Sequence, residues 1–488
     1  MSDSTGLPSS LASLDLTAQA ALVRSGEVSA RDLLDAVLDL LEGAGSGLGA
    51  VTDTDLAAAR TAADRVDQRR RAGDELGPFA GVPITVKGSY DAAGLRTHLG
   101  RIRDSHVAAS DAPVVGKARA AGAVVYGKTN VPDQLADYQT FNDDFGRTYN
   151  PWDRERTPGG SSGGASAALA AGLTALEFGS DLAGSIRMPA AWCGLFGHRP
   201  SNFVMSKMGH LPWEVDGELE PTVSTTGPLT RSARDLVLAV DVLSGPARLN
   251  AIGWRLELPA TRVERLAGTR VGLWLDDEAA PIDDEQREAL VAFAGRLRDA
   301  GCEVDEVRAP AGGGFAGLER YDRMQAGEIA HSVSDEEWAQ ALIDAAGDEP
   351  GAAFARSLTQ PARVFWQDLE EQRRITKAWN ALFQRVDVVL APTVPGAAPL
   401  FDPRPTAERT LEIAGSTYSA FEIVSTWSRL ANLAMLPSTV IPLGPGAISG
   451  QPLGAQLLGP YLGDRTTLRV AELLEQDGLI GFVPPPGW

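Results

Sequence analysis

The chain has 488 residues, 44% of them hydrophobic, and a formal charge of −20 from 44 Lys and Arg against 64 Asp and Glu. That length can bury one large core or two ordinary ones, and the acidic balance argues against a nucleic-acid surface, which runs on clustered lysine and arginine. No window approaches the roughly 18 uncharged apolar residues of a bilayer-spanning helix, MSDSTGLPSS lacks the pattern of a secretion signal, and Cys193 and Cys302 are too few for a disulfide framework and carry no metal-ligand spacing. A cytoplasmic protein is expected, with no metal or other cofactor.

Residues 1–12 are small and polar and are expected to form a flexible N-terminal tail, followed by one domain from 13 to 488. Helical patterning starts with AQAALVRSG and resumes from a Ser29 cap through ARDLLDAVLDLLEG to Gly43; LAAARTAADRVDQRRRAG reads as a third helix. FAGVPITVKG is the first clear strand. From there VVGKARAAG (helix), AVVYG (strand), ASAALAAGL (helix) and ALEFG (strand) alternate, followed by the capped helix SARDLVLAVDVLSG, the strand RVGLWL, the helix DDEQREALVAFAGRLRDAG and the strand CEVDEVR. VDVVLAPT, STVIPLG and GAQLLG read as later strands and RTTLRVAELLEQ as the last helix. Such alternation predicts an α/β fold with a large, twisted, mixed but mostly parallel sheet covered on both faces by helices. The stretch 311–375 is mostly helical and breaks the pattern, so it reads as an excursion that can border a pocket.

Two Gly/Ser segments and one lysine carry candidate chemistry. In TPGGSSGGASAALAAG, residues 157–172, glycines surround Ser161 and Ser162 and an Ala-rich helix follows, whose first amides suit a developing negative charge. In GSDLAGSIRMPA, residues 179–190, Ser185 follows a glycine. Alone, either is equally an ordinary tight turn. Lys87 ends an apolar strand, where loss of water disfavours its charged form and prepares it to accept a proton; a lysine snorkelling from a strand end is the alternative. The other four lysines, 117, 128, 207 and 377, sit in ordinary helical, turn-like or loop-like surroundings, and His98, His106, His198, His210 and His331 read as surface or hydrogen-bonded residues.

Together, GGSSGG at 159–164, DxxGSIRxP at 181–189 and the strand-borne VK at 86–87 resemble the amidase signature family. Ser161 lies 24 residues before Ser185 and 74 after Lys87, spacings that fit the family. GKTNVPD, FGRTYNPWD, FGHRPS, VDVVLAPTVP and QPLGAQLLG agree in order, and the likeness runs from about 15 to 475, weakest over 311–375. The resemblance implies that Ser185 attacks a carbonyl carbon, that Ser161, preceded by a cis peptide bond from Gly160, relays the proton, and that neutral Lys87 receives it. The amides of Leu182, Ala183, Gly184 and Ser185 are then the oxyanion hole, and Ser162, Asp181 and Arg187 resemble the residues that hold loop and relay in place. Three positions depart from the family: Ala183 stands for a glycine, Gly88 for the aspartate after the lysine, and Asp133 for a glutamate.

Other motifs lack their context. GAVVYGKT, from Gly122 to Thr129, matches a P-loop pattern letter for letter, but β-formers fill the space where a flexible turn belongs. Gly159 to Gly163 matches a nucleophile elbow without the strand that precedes one. The expected function is a cofactor-free amidohydrolase acting on small carboxamides, anilides, esters or carbamates. Its partners are then a small acyl substrate and, where it oligomerises, a second copy in a homodimer, with neither nucleic acid nor membrane. The alternatives are the glutamine-using component of the complex that amidates mischarged tRNA, a branch that carries Gln where this chain has Met188, and a non-catalytic scaffold. Trp192, Trp213, Tyr321, Trp366 and Trp427 are candidate pocket aromatics, with core packing as their other use.

Overall fold

The first long helices start at side-chain caps. In the computed structural model, which describes residues 10–212, 219–275, 277–349 and 351–488, a short turn α1 (Ser10–Ser13) leads to α2 (Leu16–Ser25), capped by Asp15, and to α3 (Ala30–Glu42), capped by Ser29. Residues 10–12, within the range expected to be a tail, are therefore part of the folded chain. Ala12 is buried and its carbonyl accepts from Gln19 and Arg231; residues 1–9 lie outside the described residues.

Next come β1 (Val51–Thr54), α4 (Leu56–Ala72), β2 (Pro83–Lys87), α5 (Pro113–Ala120) and β3 (Val124–Thr129). These strands form a small separate sheet in the order β1–β3–β2, with β2 parallel and β1 antiparallel to β3. Every residue of β2 is buried, consistent with its continuous run PITVK.

The chain continues through α6 (Gly163–Ala170), β4 (Glu177–Asp181), α7 (Arg187–Cys193), β5 (Phe196–Arg199), β6 (Thr225–Thr230), α8 (Ala233–Leu243), β7 (Arg270–Leu273), α9 (Asp284–Asp299) and β8 (Glu303–Glu306). The described residues of 311–375 include α10 (Leu318–Ile329), α11 (Asp335–Ala345), α12 (Ala352–Leu358) and the start of α13 (Ala362–Leu382). The chain closes with β9 (Val388–Pro392), α14 (Ala420–Leu433), β10 (Ser438–Pro445), β11 (Pro452–Leu458) and α15 (Asp464–Gln476).

Eight of these strands make the large sheet, in the order β8–β7–β9–β11–β10–β5–β6–β4. The mixed α/β sheet is as expected, but the balance of directions is not. Only β8–β7 and β7–β9 pair in parallel; every other neighbour is antiparallel. The reason is local for β10 and β11, which are joined by the short turn 446–451 and must run in opposite directions. Beyond that hairpin, β5, β6 and β4 pair antiparallel in succession. An aromatic cluster of Trp274, Phe315, Trp379 and Trp427, with Trp274 and Phe315 each about 5 Å from Trp427, fills the core.

Candidate active site

Lys87 is the last residue of β2 and is fully buried. Its Nζ lies within hydrogen-bond distance of Ser161 Oγ at 2.8 Å, Ser162 Oγ at 2.9 Å and Ser180 Oγ at 2.9 Å, as many partners as an ammonium has donors. Burial, and next the charge of Lys207, hold its pKa well below the usual lysine value, against the opposing pull of Asp181 and Glu177. Nothing in the sequence marks Ser180. It lies in β4, one residue before Asp181, and only the approach of β4 to β2 brings it to the lysine.

Ser161 and Ser162 stand between Pro158 and α6, and the Gly160–Ser161 peptide is cis. Glycines here let backbones touch. A Cβ on Gly160 would sit 2.4 Å from Asp137 O, and one on Gly159 2.7 Å from Pro189 Cα in α7. That last approach brings the Ser161 segment against the helix that follows Ser185. At the α6 N-terminus the Gly164 amide donates to Asn130 O at 3.3 Å.

The loop Leu182–Ser185 joins β4 to α7. Asp181 accepts from Gly184 N at 2.9 Å, from Ile186 N at 3.3 Å, and from Arg187 Nε and Nη2 at 2.9 and 2.8 Å. Burial would raise the Asp181 pKa, but the Arg187 charge and hydrogen bonds outweigh it and hold the carboxyl well below the usual range. Arg187 also donates to Ser428 O at 2.7 Å and Asn432 Oδ1 at 2.6 Å, both in α14 and more than 240 residues away. Of the four amides expected to face an oxyanion, that of Gly184 is engaged by Asp181, and no bond to a described residue engages those of Leu182, Ala183 and Ser185. Gly184 alone in this loop has positive φ, at 108°, so Ala183 meets no backbone conflict. The half-exposed Ser185 hydroxyl forms no hydrogen bond to Ser161 or Lys87 among the described residues. The predicted relay is thus assembled at Lys87–Ser161 and open at Ser185.

The other lysines are not all ordinary. Lys128 in β3 is buried and donates to the Tyr90 carbonyl, and Lys207 is buried and donates to Ser224 Oγ at 2.6 Å. Burial lowers both to about 7. No sequence signal separates them from surface lysines, because their neighbours are distant in the chain. Within Gly122 to Thr129, residues Val124–Thr129 run as strand β3, so the stretch makes no phosphate loop. His98, His198 and His210 are buried and hydrogen-bonded. Trp192, Tyr321 and Trp427 are core residues, Trp366 is exposed, and Trp213 lies outside the described residues.

The fold is that of the amidase signature enzymes, and the chain belongs to that family: its model, described as Amidase, matches residues 32–468. Among curated relatives, a glutamyl-tRNA(Gln) amidotransferase subunit of Synechococcus sp. (strain CC9605) is 31% identical over 480 residues, covering 93% of this chain and 94% of its own. Among solved structures, a bacterial aryl acylamidase of the family superposes with a TM-score of 0.80 at 26% identity, over 95% of this chain and 96% of its own. A 6-aminohexanoate cyclic dimer hydrolase superposes with 0.78 at 27% identity, over 98% of this chain and 99% of its own. No helix among the described residues is long and apolar enough to cross a membrane.

Proposed function

We propose that the chain is an amidohydrolase that cleaves the C–N bond of small carboxamides through an acyl-enzyme on Ser185, with Ser161 as relay and Lys87 as base. Burial of Lys87 among three hydroxyls carries this reading. A neutral amine has two N–H donors and one lone pair, so three oxygen neighbours at 2.8 to 2.9 Å oblige one hydroxyl to donate into the nitrogen. With Ser161 in that role, its own oxygen is free to take the Ser185 proton.

As Ser185 Oγ bonds to the substrate carbon, its proton passes to Ser161 Oγ and the Ser161 proton to Lys87 Nζ. The carbonyl oxygen becomes an oxyanion against the amides of Ala183 and Ser185. Return of the proton along the same path to the leaving nitrogen breaks the C–N bond and frees an amine. Water then enters, gives its proton to the relay and releases the acid from Ser185. Asp181 and Arg187 keep the loop in shape, and Ser162 keeps Lys87 aimed. Esters and carbamates pass through the same intermediate, and the likeness to an aryl acylamidase makes anilides the first substrates to try. The acidic balance and the two free cysteines fit a cytoplasmic enzyme.

A second reading, as one component of an amidotransferase, is favoured by the 31% identity to such a component over 93% of the chain. Met188, where that branch carries Gln, favours the hydrolase. A panel of anilides, esters, carbamates and free glutamine against the purified protein separates the two. Turnover of anilides by the isolated chain supports the hydrolase; turnover of glutamine alone, together with co-purification of a second polypeptide, supports the transferase. Ser185→Ala and Lys87→Ala are each expected to lose most of kcat, with the double variant hardly worse than either, since the groups act as one unit. A fluorophosphonate should add its mass at Ser185. Activity surviving in Ser185→Ala refutes the assignment.

A further inference from the structure

One helix of the 311–375 excursion reaches the loop before Ser185. Tyr321 in α10 is fully buried, and its hydroxyl donates to the Leu182 carbonyl at 2.6 Å. Leu182 C=O and Ala183 N–H belong to one peptide unit. In a planar trans peptide these two bonds point in opposite directions, so a donor that holds the carbonyl on the α10 side turns the Ala183 N–H to the other side. A flipped peptide would instead present the carbonyl oxygen where the N–H now points. That would repel a developing oxyanion rather than stabilise it.

The tyrosine is itself held. The Arg429 guanidinium lies 5.8 Å from its ring centroid and pairs with the neighbouring Asp322 at 3.0 Å. Two turns further along the same helix, Glu328 accepts from the Thr222 and Val223 amides at 2.9 and 2.7 Å and from Ser224. Ser224 leads into β6, whose Thr225 pairs with Asp181 at the base of the same loop. Residues 321 and 328 are seven apart and share a helix face, so α10 grips the loop and the strand beside its root.

We propose that Tyr321 is a positioning residue that aims the Ala183 N–H at the substrate oxyanion, with Glu328 securing the opposite end of the same brace. This rests on the acyl-enzyme reading above. It gives the excursion a part in the reaction: substitutions in α10 change transition-state stabilisation without touching substrate.

The test is Tyr321→Phe, which removes one hydroxyl and keeps the ring, assayed on an anilide beside wild type and Ser185→Ala. The expected result is a kcat lower by on the order of 10–100-fold, the lower part of the range for loss of an oxyanion donor and below it, with KM within about twofold. Affinity for a boronic acid that forms a tetrahedral adduct should fall in parallel, while affinity for the product acid stays unchanged. A merely structural tyrosine would lower the melting temperature without splitting those two affinities. Wild-type kcat and boronate affinity in Tyr321→Phe, with Ser185→Ala inactive, overturns the brace and leaves the acyl-enzyme reading standing. Full activity in Ser185→Ala overturns both. If Tyr321→Phe does not melt cooperatively, Glu328→Gln carries the same comparison, expected to show the same split by a smaller factor, and the absence of a split overturns the proposal.

Discussion

Gly88 has no room for a side chain. A Cβ there would stand 2.7 Å from His98 Cε1 and 2.9 Å from Thr129 O, so the aspartate that the family carries after its lysine is excluded in this chain by a histidine ten positions on. Gly88→Ala is expected to push the end of β2 and lower kcat/KM by roughly tenfold or more, and His98→Ala in the same chain to restore part of it; additive losses in that cycle would show that the two sites are uncoupled. The base itself predicts a pH profile. Activity needs the neutral amine, so kcat/KM should rise through the Lys87 titration at a pH well below that of an ordinary lysine. Lys207 contributes a like charge to that lowering. Lys207→Met removes it, makes protonation of Lys87 easier and should move the acid limb to higher pH, whereas Lys207→Arg should leave the limb in place.

At the scale of the element, the loop from β4 to α7 depends on one glycine and one ion pair. Gly184 has φ of 108° and a Cβ there would lie 2.6 Å from Ser428 Cβ, while Ala183 avoids the left-handed region. Ala183→Gly should therefore keep kcat within about threefold, and Gly184→Ala should abolish it, as steady-state rates on one anilide will show. Asp181 and Arg187 are both fully buried, so Asp181→Asn leaves an uncompensated cation. A loss of about 3–5 kcal/mol in urea denaturation is expected; a loss below about 1 kcal/mol would mean that water reaches the pair. The Gly/Ser segment is legible as a loop opening a helix because small residues cluster there. That its glycines serve close packing, with a Gly164 Cβ 2.4 Å from Asn130 N, is not, since the partner lies more than thirty residues earlier.

For the whole molecule, the two sheets meet over buried charge. Glu177 in β4 is buried, accepts from Thr85 Oγ1 of β2 at 2.5 Å, and is pushed up to about 7 by burial against the lowering effect of Thr85, the Phe178 amide, Thr129 and Lys128. A carboxyl whose folded pKa lies above its ordinary 4.5 supports the fold fully below that value, and the support is lost as pH rises through about 7. Glu177→Gln lacks this titration. From about pH 5 to about pH 8 its stability relative to wild type should shift in its favour by up to on the order of 3 kcal/mol in urea denaturation, and parallel curves would count against a buried, titrating Glu177. Nothing in ALEFG announces the group, because a single glutamate in a strand normally faces water.

Residue order was enough to locate many of the helices and strands, since apolar spacing and caps act within a few residues, but β1, α7, β5, β6 and α14 went unmarked, and three local motifs singled out Lys87, Ser161 and Ser185 as candidates. Strand direction, the third hydroxyl at Ser180, the burial of lysines 128 and 207, and the hold of Tyr321 on Leu182 arise only when the chain is packed. Periodicity reports that a face is covered but not by what, and hydrogen bonds between residues 93 to 245 positions apart leave no local signal.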